Sequence, residues 1–551
     1  MSRSVRVTQA ILATVALALV LVLFMGNLFQ GQSRDVAASP TTVGPQTPEP
    51  LADGERIPGI PEKPIAQYET FPLVSGRNAD RQLDYQAAGT IRVEFLESLG
   101  DHQAYANQVV DWKLCDDSEV SQCAMVTVPL DWEEPSGEAI EIAVRRIPSG
   151  DSSNGPLFVN PGGPGFGGQD FAEAMAGRWA NYDVVGWDPR GTGQSTHVVC
   201  GSMQQTDALM ELDGSPDDEA EDEALQQGAR EFAQQCRDGS GQLLDHITTV
   251  DVVRDLDLIR HLLGADKLNY VGVSYGTYVG ATYAQLFPNS VGRLVLDAAV
   301  DITGEDEIPQ VKGFELAWNN FVGWCEGSDL CELGDSRAQI DDDVTTFLDG
   351  LDESPIELGD RTLTQTLAAT GLALFLYSDE QAYRTLSYVL DEAMQGRGSG
   401  LLAAADSMNG RYENGYETIA FAFPAMACSD AVDDGVAPVL QDWRDTFELA
   451  PVLAPQMGTS YNCQLWTSGS APQLKLTAEG APPILVVGTT GDSATPYEQA
   501  VSMAAQLESG TLLTLEGAGH GAVSGDNECI ADAVDGFLLQ GEVPEDGKTC
   551  S

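Results

Sequence analysis

A mostly parallel α/β sheet with helices on both faces, interrupted by one large helical insertion, is the fold this sequence predicts. Three observations carry that reading. Short apolar runs alternate with amphipathic helical stretches from about residue 139 to 300. The rhythm then gives way to mostly helical patterns over about 303–477. It returns from residue 482 to the C-terminus. Strand, helix, strand in this order needs crossover connections, and those give parallel strands buried on both faces.

The elements follow in order. "AIEIAVRRI" (139–147) reads as a strand, and "PLFV" (156–159) as a short buried strand that runs into a glycine-rich loop. "YDVVGWD" (182–188) is a third strand, followed by "PRGTGQS". "VDVVRDLDLIRHLLG" (250–264) has Val253, Leu256, Ile259 and Leu263 at helical spacing. "LNYVGV" (268–273) is a strand, and "YGTYVGATYAQLF" (275–287) a helix that Pro288 stops. "VGRLVLDAAV" (291–300) is the next strand. After the insertion come strand "PPILVVG" (482–488), helix "PYEQAVSMAAQL" (496–507), strand "GTLLTLEG" (510–517) and helix "ECIADAVDGFLL" (528–539).

At the N-terminus, Arg3 and Arg6 precede an apolar run from Ala10 to Phe24 that continues less purely to Phe29. This is an export signal. "VAA" ending at Ala38 offers a cleavage site, but the run approaches the length that spans a bilayer. The Arg34–Asp35 pair before Ala38 suits cleavage poorly, so an uncleaved anchor over residues 10–29 is favoured over release near Ala38. The division expected is a signal or anchor segment (1–30), a Pro-rich spacer (31–80), the first part of the α/β core (81–302), a helical cap (303–477) and the rest of the core (478–551).

Composition narrows the partners. The chain has 84 acidic and 28 basic residues, a net charge of −56. Such a surface repels nucleic acid and anionic membranes. Ten cysteines in an exported chain predict disulfides. Their order suggests five neighbouring pairs: Cys115–Cys123, Cys200–Cys236, Cys325–Cys331, Cys428–Cys463 and Cys529–Cys550. No C-x-x-C is present and the five histidines do not cluster, so neither metal nor cofactor is expected. The oligomeric state is not legible.

The glycine loop "NPGGPGFGG" (160–168) fits G-x-G-x-x-G, with Asp188 20 residues beyond it, as in a dinucleotide site. A phosphate cradle works through backbone N–H groups, and Pro161 and Pro164 remove two of them. A stronger signal is "GVSYG", Gly272 to Gly276, which follows a strand and opens a helix. That is the context of a nucleophile elbow, which presents Ser274 at the sheet edge. A serine needs a base. Only His520, in "GAGHGAV", follows Ser274, as the order Ser, acid, His demands. Asp492, in the loop after "ILVVG", is the candidate acid. The 28 residues between Asp492 and His520 hold one helix and one strand, and the 218 between Ser274 and Asp492 hold the insertion. The glycine loop then supplies half of an oxyanion hole, with Gly163 chosen over Gly162 as one donor and Tyr275 as the other.

Together "NPGGPG", "GWDPRGTGQS", "GVSYGT", "LDAAV", "FELAWNNFVGWC", "GDSATPYEQA" and "GAGHG" resemble the tripeptidyl aminopeptidase branch of the prolyl-aminopeptidase-like serine peptidases. The resemblance runs from about residue 107 to the C-terminus. It implies an α/β-hydrolase fold with a helical cap, the triad Ser274, Asp492 and His520, and an oxyanion hole of Gly163 and Tyr275. It also implies release of short N-terminal pieces from peptides, and structural roles for Asp188 and Arg190. An aminopeptidase must bind a charged amino terminus. Glu305 and Glu307 at the cap entrance and Asp430 in "ACSD" are the candidates. A carboxylesterase or lipase with the same triad is the alternative; a silent surface protein that binds partners through the cap is the third reading.

Overall fold

The computed structural model describes residues 72–77, 83–87 and 104–551, except 151–153, 180, 304–307, 432–434, 469–470 and 472. The export segment, the Ala38 site and most of the spacer lie outside these residues. Residues 72–77, at the end of the stretch read as spacer, form a strand that pairs antiparallel with 83–87. Among the described residues no helix is long and apolar enough to cross a membrane.

A ten-stranded sheet organises the body. Its strands are β1 (Lys113–Leu114), β2 (Gln122–Pro129), β3 (Ala139–Ile147), β4 (Pro156–Asn160), β5 (Asp183–Trp187), β6 (Leu268–Val273), β7 (Val291–Asp297), β8 (Ile484–Gly491), β9 (Gly510–Ala518) and β10 (Lys548–Cys550). The spatial order is β10-β9-β8-β7-β6-β4-β5-β3-β2-β1. From β5 to β10 every pairing is parallel, and β1, β2 and β3 join as an antiparallel edge. The sequence pattern does not announce β2 or β10. β2 buries few of its first residues, so its alternation is weak, and β10 has three residues.

The central strands are apolar on both faces. Phe158, Val185, Tyr270 and Leu294 face one core, and Val159, Val184, Val271 and Val295 the other. Helices α3 (Thr249–Leu262) and α4 (Tyr275–Leu286) cover the first face. Helix α1 (Gln169–Met175) and helix α11 (Glu528–Asp535) cover the second. Between β5 and α3 lies a 22-residue helix α2 (Glu219–Ser240) with an acidic first turn. Its Asp218 cap and Glu221 make a reciprocal capping box, and Phe232 and Cys236 reach the main core.

The cap has its own core. Helices α5 (Gln310–Glu326), α6 (Arg337–Glu353), α7 (Gln365–Leu376), α8 (Glu380–Met394) and α9 (Ser399–Met408) bury Trp318, Phe321, Leu348, Leu372, Leu386 and Leu401 together. Helix α10 (Ile419–Asp430) instead packs Ala425 and Met426 into the core of the body. The five disulfides are the neighbouring pairs the cysteine order suggests.

Candidate active site

The site lies at the C-terminal ends of the parallel strands, where an open α/β sheet presents its loops. Ser274 sits between β6 and α4 with φ 57° and ψ −126°. A non-glycine residue there is strained, and the neighbours must hold it. They leave no space for side chains. A Cβ on Gly272 would lie 2.3 Å from the Gly276 oxygen, and one on Gly276 would lie 2.8 Å from the Asn160 oxygen. Glycine is therefore required on both sides of the turn.

The glycine loop after β4 packs against this turn. A Cβ on Gly162 would come within 2.4 Å of the Val273 oxygen and 2.9 Å of both Ser274 Cβ and the Tyr275 nitrogen. The Gly162 N–H donates to Asn160 Oδ1 at 2.9 Å. That bond occupies the Gly162 N–H. The Gly163 N–H has no partner among the described residues. Tyr275 opens α4, so its N–H is one of the free donors of a helix start. The remaining glycines serve packing: a Cβ on Gly167 would strike the Asp188 carboxylate at 2.5 Å, and one on Gly168 the Trp187 oxygen at 2.4 Å. The G-x-G-x-x-G pattern reflects these close approaches and not a phosphate site.

Asp492 follows β8 and is fully buried. Its Oδ1 accepts from the Ala494 and Thr495 N–H groups at 3.0 and 2.9 Å, and the Gly521 N–H lies 3.3 Å from Oδ2. His520 follows β9, and its Nδ1 is 2.8 Å from Asp492 Oδ1. A carboxylate acceptor at Nδ1 favours the tautomer that carries its hydrogen on that nitrogen. The histidine loop meets the serine turn directly: a Cβ on Gly521 would stand 3.7 Å from Val273 Cγ1.

Sequence reasoning misses several residues here. Thr495 places its Oγ1 3.4 Å from His520 Nδ1. From the cap, the Tyr377 oxygen accepts the His520 N–H at 3.0 Å, and the two rings meet edge to face at 5.4 Å. Gly313 of α5 lies against the acid loop, where a Cβ would be 2.4 Å from the Ser493 oxygen. Ala422 and Phe423 of α10 lie against Gly165. The cap thus touches all three loops of the site. No local pattern announces these contacts, since each joins segments far apart in sequence.

Asp188 accepts from Gln169 Nε2 at 2.7 Å and from the Gln194 N–H at 2.8 Å, tying the glycine loop to "PRGTGQS". Arg190 makes a fully buried two-pronged pair with Asp255, both contacts at 2.7 Å. Of the carboxylates proposed for substrate binding, Glu305 and Glu307 fall outside the described residues. Asp430, at the end of α10, accepts from the Thr249 N–H at 2.9 Å and from Thr249 Oγ1 at 2.5 Å. Thr249 Oγ1 also contacts the Tyr275 hydroxyl. Loss of water around Asp430 raises its pKa to about 7.

Comparisons with known proteins give the chain its relatives. A family profile described as TAP-like protein matches residues 450–550. Tripeptidyl aminopeptidase of Streptomyces lividans is 33% identical over 80% of this chain and 85% of its own. Serine protease Hip1 of Mycobacterium tuberculosis H37Rv is 34% identical, over 80% and 91%. Carboxylesterase B of the same strain is 36% identical, over 80% and 89%. With the sheet, the elbow and relatives at this identity over most of its length, the chain belongs to the tripeptidyl aminopeptidase family of α/β-hydrolase-fold serine peptidases.

Proposed function

We propose that this protein is an exported serine exopeptidase that releases short peptides from the N-termini of peptide substrates. The observation that carries the reading is the 2.8 Å Asp492–His520 bond beside a strained Ser274 elbow. In this reading Ser274 Oγ attacks the scissile carbonyl carbon while His520 Nε2 takes its proton. Asp492 steadies the imidazolium that forms. The carbonyl oxygen becomes an oxyanion that accepts from the Gly163 and Tyr275 N–H groups. His520 then gives the proton to the departing amine, leaving an acyl-enzyme on Ser274. Water enters, His520 removes its proton, and the ester is hydrolysed to free both the acid and the serine.

The triad accepts any acyl group, so selection falls to the cap. Its contacts with all three loops roof the site, which favours chain ends over the interior of a folded chain. A cationic amino terminus suits a protein of net charge −56, and Glu305, Glu307 and Asp430 are the candidate carboxylates. Ten cysteines all in disulfides and the apolar N-terminal run support export, with the segment 10–29 as anchor or leader. A carboxylesterase is the second reading, favoured by the 36% identity to a protein of that name.

The test is a matched pair of short peptides, one with a free amino terminus and one N-acetylated, beside a simple ester. The exopeptidase reading expects about a 100-fold lower kcat/KM for the acetylated peptide, the loss of one desolvated ion pair. Equal cleavage of both would end the aminopeptidase reading, and turnover of the ester alone would establish the esterase.

A further inference from the structure

Asp297 ends strand β7, next to the nucleophile strand β6, in register with Val273. It is 1% exposed. Its backbone oxygen accepts the Ser274 N–H at 2.9 Å. Its carboxylate accepts from the two N–H groups that follow the histidine turn: Ala522 at 3.1 Å to Oδ1 and 2.9 Å to Oδ2, and Val523 at 2.8 Å to Oδ2. One residue therefore holds the nucleophile turn by its main chain and the histidine loop by its side chain. The chain turns sharply just beyond it, with Ala298 at φ 53° and its N–H on the Val487 oxygen of β8. No cation pairs with Asp297 among the described residues. A buried carboxylate held only by backbone donors, with no cation beside it among the described residues, still carries a desolvation cost.

We infer that Asp297 is a second carboxylate of the reaction, a positioning residue that acts through His520. It fixes the histidine loop against the serine turn, and its negative charge faces the imidazolium formed when Ser274 loses its proton. The inference rests on the Ser274–His520–Asp492 reading of the site. The titratable groups that face Asp297 are Asp492, from the loop after β8, and His520, from the loop after β9. Burial raises its pKa to about 6, with Asp492 adding repulsion, and the backbone donors and His520 pull it back. Above that pH the charge is present, as the geometry requires.

Asp297→Asn is the discriminating variant. An amide oxygen in place of Oδ2 keeps the 2.9 and 2.8 Å bonds from Ala522 and Val523 and gives up only the 3.1 Å one to Oδ1, so the loop stays while the charge goes. With p-nitrophenyl acetate as substrate, the acid limb of kcat/KM should move to lower pH by on the order of one unit. The variant's kcat should fall about 10-fold with KM little changed. Asp297→Glu, which restores charge but not reach, should recover the limb position and not the rate. A merely structural role would lower the melting temperature and leave the limb in place; that outcome, or wild-type kinetics in Asp297→Asn, overturns the inference. Fluorophosphonate labelling of each variant shows that the elbow is folded. If the wild-type protein is neither labelled nor active on the ester, the triad reading fails and takes this inference with it. An active wild type with an indifferent Asp297→Asn removes the inference alone.

Discussion

The body and the cap of this protein are built on different terms. The body sets chemical groups at the ends of parallel strands, and each sits where the backbone leaves no alternative. Ser274 has a strained φ, Asp492 is fully buried, and glycines at 162, 272 and 276 occupy places where any Cβ would collide. The cap buries an apolar core of its own. It meets the catalytic loops through main chain and rings: Tyr377 on His520, Gly313 on Ser493, Ala422 on Gly165. In the proposed reading this is a division of labour, in which the body supplies the reaction and the cap supplies the fit.

That comparison can be broken first in the body. Arg190→Ala would leave Asp255 buried with no cation, and the expected loss of stability is about 3–5 kcal/mol in urea unfolding. A loss below about 1 kcal/mol would mean the pair is not a keystone of the body. The cap's part is tested by Gly313→Ala. The new methyl would press on the Ser493 and Asp492 oxygens at 2.4 and 2.8 Å, and these backbone atoms can move only with the acid loop. The rate on a small ester should drop about 10- to 100-fold. An unchanged rate would separate the cap from the acid loop.

The pH dependence of stability sharpens the contrast. Asp170 and Asp297 in the body are raised to about 6, and Glu417 and Asp430 in the cap to about 7, each chiefly by burial. A carboxyl raised on folding binds protons more tightly in the native state. Its contribution is complete below the ordinary carboxylate range and is lost as pH rises through the raised value. The melting temperature should therefore be higher at pH 5.5 than at pH 8, and lowering net negative charge acts the same way. Asp117 and Asp207, held low by Arg145 and Arg411, work oppositely: their contribution is present above the ordinary range and fades as pH falls below about 4. A flat profile between pH 5.5 and 8 would contradict this account. The smallest effect belongs to the cap surface. Gly350 lies inside α6, and a methyl added there would meet nothing within 4 Å, so Gly350→Ala should stabilise by about 0.5–1 kcal/mol and leave activity alone.

The same division explains what the sequence makes legible. The elbow, the histidine and the acid are each announced by local pattern: G-x-S-x-G after a strand, the one histidine downstream, an aspartate in the loop after an apolar run. The five disulfides follow from the order of the cysteines. β7 is read to Val300 but ends at Asp297, because the left-handed Ala298 turns the chain and no local rule marks an alanine for that. Asp297 itself carries a signal, an aspartate closing a strand next to the nucleophile strand, but its partners lie 225 residues away. Tyr377 and Gly313 carry none, since a ring and a glycine in a helical insertion are ordinary until the fold places them on His520 and Ser493.

The central claim is that Ser274 is the nucleophile of a competent triad. Its most direct measurement is the intact mass of the protein after fluorophosphonate treatment, followed by peptide mapping, on wild type and on Ser274→Ala and His520→Ala. The account predicts one adduct per chain on Ser274 in the wild type, none in Ser274→Ala, and greatly slowed labelling in His520→Ala. Hydrolysis by Ser274→Ala should fall at least ~10³-fold, with unchanged folding. An adduct on another residue, or Ser274→Ala activity above about a tenth of wild type, would contradict it.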